Sequence, residues 1–174
     1  MLFRGKQPEA AIWRRFRSGS DGFTFSEDDG VYTAHVVANA ERIVDLFWTL
    51  SELLSPAVDV HLEERRSARV WKAEALPLPD VRDMIARIRL LLARYGGTEI
   101  SIFDADDQLS LNAHIELYVY SRSDKWLYLL EGRGLEERQR LRSRSWKMTH
   151  SFPAAPDLTN AVAAGAERLG LQRA

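Results

Sequence analysis

His114 and Glu116 stand two positions apart in the run 109–120. On an extended chain, residues i and i+2 point to the same face. An imidazole beside a carboxylate there makes a general acid/base pair, the proton-transfer chemistry of a small-molecule enzyme. Asp59, His61 and Glu63 repeat that alternation in the run 57–63. The same groups are also hard or borderline metal ligands. Neighbouring strands lie about 4.8 Å apart, so histidines several strands from each other do not meet on one metal. None of the four histidines sits in a His-Glu-x-x-His spacing, and no metal is expected. His35 falls in a run read as a central strand and is expected to be a hydrogen-bonded core histidine. His150 falls in a loop with no acid near it in sequence.

Other chemistries are excluded by missing residues. There is no cysteine, which removes thiolate nucleophiles, redox dithiols and disulfides. No Gly-x-Ser-x-Gly elbow is present. Gly96-Gly97 and Gly132-Arg133-Gly134 match neither a Walker loop nor Gly-x-Gly-x-x-Gly, so no nucleotide cofactor is implied. The acidic stretch 104–107 lacks the later Gly and Glu of a calcium loop and reads as a hairpin turn.

The 174 residues are 45% hydrophobic and 28% charged, which suits one folded domain over 1–174. The run 31–38 alternates as a strand. Asn39 is a helix N-cap, followed by a stripe Ile43, Leu46, Phe47, Leu50 and Leu53/Leu54 that predicts a helix over 40–54. Strands are expected at 57–63 and 68–75. Pro77 and Pro79 open a helix that runs to about Tyr95 and ends at a left-handed Gly96. A strand follows at 98–103. The run 109–120 has the clearest alternation: Leu109, Leu111, Ala113, Ile115, Leu117 and Val119 face one way, with Ser110, Asn112, His114, Glu116, Tyr118 and Tyr120 opposite. A last strand is expected at 125–131, and short helices at 8–17 and 157–169.

This order implies an α+β fold: a two-layer antiparallel sheet whose βαββαβ core, about 31–131, resembles the ferredoxin-like arrangement. Two meander strands would extend it. Counting the expected strands from 31–38 as the first, the spatial order would be 6-5-4-1-3-2.

Charge is unevenly distributed. The formal net charge of −1 combines a +4 segment at 1–17, a −9 body at 18–131 and a +4 stretch at 132–147. Arg138, Arg140, Arg142 and Arg144, with Trp146 able to stack, make a candidate nucleic-acid contact. The acidic body opposes phosphate backbones, so this basic stretch is better explained by neutralisation of the body. No segment has the apolar length of a signal peptide or a membrane span, which makes a cytoplasmic location the default. If Trp71, Phe103, Tyr118 and Tyr120 share the uncovered sheet face, that face is amphipathic and suits a protein partner or a homodimer. The expectation is therefore a non-enzymatic binding module. Its partner would meet His114, Glu116, Tyr118, Tyr120, His61 and Asp59. An enzyme built on His114 and Glu116, with His61 or His35 as a further member, is the alternative. The plain alternative to both is a solvated polar face, which alternation alone produces.

Overall fold

A computed structural model describes residues 21–141 and 152–174. The expected helix at 8–17 and residues Arg142, Arg144, Trp146 and His150 lie outside the described residues.

Among the described residues, one antiparallel sheet has eight strands: β1 (Gly22–Asp28), β2 (Val31–Val37), β3 (Ala57–Glu64), β4 (Arg69–Pro77), β5 (Thr98–Phe103), β6 (Asp107–Leu111), β7 (Leu117–Ser121) and β8 (Gln172–Arg173). Their spatial order is β1-β2-β7-β6-β5-β3-β4-β8. Four α-helices accompany it: α1 (Ala40–Leu50), α2 (Leu78–Tyr95), α3 (Lys125–Gly132) and α4 (Pro156–Arg168). A single 3-10 turn, Ser51–Leu53, ends α1 earlier than the stripe suggests. None of these helices is long and apolar enough to cross a membrane.

Local chemistry places the element ends. Asn39 Oδ1 accepts the Arg42 N–H at 2.9 Å and caps α1. Proline opens α2, and Gly96, at φ 56°, closes it. A Cβ on Gly96 would lie 2.9 Å from the Ala113 carbonyl, so both the backbone angle and the space require glycine there. Asp29 and Gly30, both at positive φ, make the two-residue loop of the β1–β2 hairpin.

The helices share one apolar core with alternate strand residues. Ala34, Val36, Val58, Val60, Leu62, Ile100, Ile102, Leu109, Leu111, Leu117 and Val119 join Ile43, Phe47, Ile85, Leu92, Trp126, Leu130, Leu158 and Val162 in one buried cluster. Each strand from β1 to β7 therefore gives one side to the helices, whereas both residues of β8 are exposed. The other side carries half-buried polar and aromatic residues and no described element. The α+β two-layer architecture holds.

Three expectations are corrected. First, the ferredoxin-like order does not occur. Val31–Val37 is flanked by β1 and β7, so it cannot also lie beside β4 and β5. The two crossovers expected from the element order remain, through α1 and α2, but the β6–β7 pair stands between β2 and β5. Second, 109–120 is two strands, β6 and β7, joined by a turn at 112–116. The burial alternation runs unbroken through that turn because Ala113 and Ile115 tuck into the interior. Third, 125–131 is helix, not strand. Its buried residues are Trp126 and Leu130, spaced i, i+4, while Tyr128 is exposed. Trp71 also leaves the expected aromatic set: it pairs with Leu62 and is buried on the helix side.

Candidate functional site

Cross-strand register aligns a row of side chains on the uncovered face. Thr24, His35, Tyr118, Ser110, Ser101, His61 and Lys72 are successive partners from β1 to β4. One pleat further, Ser26, Thr33, Tyr120, Gln108, Phe103 and Asp59 form a second row. Side chains directly opposite each other in an antiparallel pair are close enough to interact.

The densest chemistry lies at the β2–β7 end. The His35 ring stacks on Tyr118, centroids 4.4 Å apart and planes 4° from parallel. Tyr120 continues the stack at 6.4 Å from Tyr118. His35 Nε2 lies 3.2 Å from Glu116 Oε2, with both side chains about one-fifth exposed. The same oxygen accepts from Asn112 Nδ2 at 3.3 Å and from the Tyr118 hydroxyl at 3.5 Å. Burial, the Glu116 charge and the neighbouring Tyr120 all push the Tyr118 phenol above its ordinary range, so it stays a neutral donor.

The turn at 112–116 aims Glu116. Asn112 Oδ1 accepts the backbone N–H groups of His114 at 3.0 Å and Glu116 at 2.9 Å. The Ala113 carbonyl accepts the Gly97 N–H at 2.8 Å, which ties the turn to the end of α2. Ile115 sits at φ 59°, an uncommon position for a β-branched residue. Its buried side chain offsets that backbone cost.

The structure thus separates the residues that spacing had joined. His114 is exposed in the turn, its ring 5.5 Å from that of Phe152. Glu116 meets His35 instead, a partner 81 positions away in sequence. His61 lies three strands from Tyr118, about 14 Å across a sheet. Asp59 Oδ1 accepts the Ala75 N–H at 2.8 Å, where β4 bulges at positive φ. Glu63 and Glu99, opposite each other, are bridged by Arg65 at 3.1 and 2.7 Å. The Glu99 hydrogen bond chiefly raises the Arg65 pKa. Among the described residues no group of three or more His, Cys, Asp or Glu is placed to hold a metal ion.

In the basic stretch, the Arg138 backbone N–H donates to the Phe23 carbonyl at 2.8 Å, and the Phe23 N–H donates to the Glu136 backbone carbonyl at 3.0 Å. The described start of that stretch therefore runs along the outer edge of β1. Arg138 pairs with Glu136 at 3.0 Å, and Arg140 is exposed.

Sequence reasoning admits His35 only as an optional addition to a His114/Glu116 enzyme and does not pair it with Glu116 and Tyr118. The register that brings it to Tyr118 depends on the turn at 112–116, which alternation concealed. The one local signal available was Asp29-Gly30, which marks the β1–β2 hairpin and moves β2 away from the sheet centre.

No family model, no curated protein and no solved structure matches this chain.

Proposed function

We propose that this chain is a non-enzymatic, cytoplasmic binding module that receives a protein partner on its uncovered sheet face. The partner would meet the end formed by His35, Glu116, Tyr118 and Tyr120, with His114 at the rim. The observation that carries this reading is the asymmetry of the sheet: the described helices share one core on one side, while stacked aromatic rings and carboxylates occupy the other. Stacked rings offer apolar area at low entropic cost, and half-buried carboxylates select a partner with basic groups.

The test compares the wild-type chain with Tyr120→Asp and with Leu90→Asp, the latter on the outer surface of α2 where Leu90 is 73% exposed. Light scattering reads self-association, and affinity capture from the source cell reads a heterologous partner. Association is expected to disappear in Tyr120→Asp and survive in Leu90→Asp. A wild-type chain that associates with nothing Tyr120→Asp abolishes defeats the reading.

One observation favours a second reading. The His35–Glu116 contact at 3.2 Å is a carboxylate-oriented imidazole, the arrangement of a general base. As an enzyme, the chain would use His35, with Glu116 orienting it, in place of His114. His35→Asn would then abolish turnover, whereas under the binding reading it alters affinity alone.

A further inference from the structure

We propose that the chain's own N-terminal segment, residues 1–17, docks in cis on the uncovered face over Tyr118 and Tyr120, as a basic occupant that a partner must displace. This inference rests on the reading of that face as a binding surface.

Three observations point there. The first is position. The chain enters the sheet at Gly22, which pairs with Val37, two residues along β2 from His35. At that point the helix side is taken: Arg42 of α1 pairs with Asp21, and Phe23 is fully buried. The outer edge of β1 is taken too, by the backbone of Glu136 and Arg138. Among the described residues nothing occupies the uncovered face at that point.

The second is reach. Tyr118 and Tyr120 lie on β7, two strands from β1, about 10 Å across the sheet. Twenty residues precede Asp21, and about five extended residues already cover the distance from β1 across β2, β7 and β6.

The third is complementarity. Residues 1–17 hold Arg4, Lys6, Arg14, Arg15 and Arg17 against one acid, Glu9, with Ile12, Trp13 and Phe16 as apolar groups. The face offers stacked Tyr118 and Tyr120, Phe103, and the carboxylates of Glu116 and Asp59, with Glu63 and Glu99 already bridged by Arg65, within a body of charge −9. Tethering through a short linker gives a local concentration on the order of millimolar, so docking with a dissociation constant about ten-fold below that keeps the face mostly occupied.

The absence of native cysteine makes the test direct. The full chain carries Ala11→Cys with Gln108→Cys, which faces Tyr120 across β6 and β7 and leaves both tyrosines in place. The control pair is Ala11→Cys with Leu90→Cys. A short bis-maleimide is expected to give intramolecular product about ten-fold faster in the Gln108 pair, independent of protein concentration. Reversing Arg14, Arg15 and Arg17 to Glu is expected to remove most of that difference, as is raising salt to molar levels. Equal rates in the two pairs overturn the inference. So does a product between chains that grows with concentration, which would make a second copy the occupant. If the rates are equal while Tyr120→Asp still abolishes association, only the cis occupant is lost. If Tyr120→Asp abolishes nothing, the binding face itself is lost.

Discussion

At the scale of single residues, two carboxylates show how position decides role. Glu116 lies on the uncovered face and gathers His35, Asn112 and Tyr118 around one oxygen. Tyr118 is held above the ordinary phenol range by burial first and the Glu116 charge second. Glu116→Gln is expected to move the Tyr118 titration back toward the ordinary range, read by phenolate absorbance. The sign for stability follows from the raised value. The contribution of Tyr118 is present below the unfolded phenol pKa and is lost as pH rises through the folded one. Asp107, by contrast, is buried on the helix side. Its Oδ1 accepts from Ser121 Oγ at 2.6 Å and Trp126 Nε1 at 2.9 Å, and its Oδ2 pairs with Lys125. Asp107→Ala strands two buried donors and is expected to cost about 2–4 kcal/mol. Lys125 is 44% exposed on its side chain, and Lys125→Ala is expected to cost below about 1 kcal/mol. Urea unfolding of both variants checks the contrast.

At the scale of elements, a buried ion pair ties separate parts of the chain together. Glu64, fully buried at the end of β3, accepts from Arg66 Nη1 at 2.9 Å and from the Ser67 N–H at 2.8 Å. Arg66 also donates to the carbonyls of Pro153 at 2.7 Å and Tyr95 at 3.0 Å. One guanidinium thus joins the β3–β4 hairpin, the end of α2 and the approach to α4. Arg66→Ala leaves Glu64 charged in the core and is expected to cost about 3–5 kcal/mol. Adding Glu64→Gln removes the orphaned charge, so the double variant is expected to recover roughly 1–3 kcal/mol, measured as a double-mutant cycle.

The elements also show what periodicity conveys and what it hides. The helix stripes and the alternation of 57–63 report burial, and burial is what the structure repeats there. In 109–120 the same faithful alternation concealed a turn, because Ala113 and Ile115 are buried while the backbone reverses. Only Asn112, whose side chain accepts two backbone N–H groups of the turn, marks the reversal. In 125–131 aromatic and leucine content suggested a strand, yet burial at Trp126 and Leu130 follows the helical period. The pairing of His35 with Glu116 was illegible for a different reason. Hydrogen-bond register between distant strands is a tertiary property, and no spacing within either run encodes it.

At the scale of the whole molecule, one sheet has two unlike faces, and adjacent residues separate them. Leu109 is fully buried beneath the helices, whereas Gln108 and Ser110 on either side of it are half-buried on the other face. Val119 and Tyr120 repeat the contrast on β7, with Tyr120 37% exposed. Leu109→Ala removes packed apolar volume and is expected to cost about 2–5 kcal/mol. That is a large part of the 5–15 kcal/mol typical of a whole domain, so this variant should unfold at a visibly lower urea midpoint. Gln108→Ala and Tyr120→Ser remove groups that the core does not need, and each is expected to stay within about 1 kcal/mol of wild type. If the uncovered face were instead sealed by the folded body and essential to it, Tyr120→Ser would fall with Leu109→Ala. A midpoint near wild type leaves Tyr120 free of any stabilising duty and makes its variants clean probes of the proposed binding.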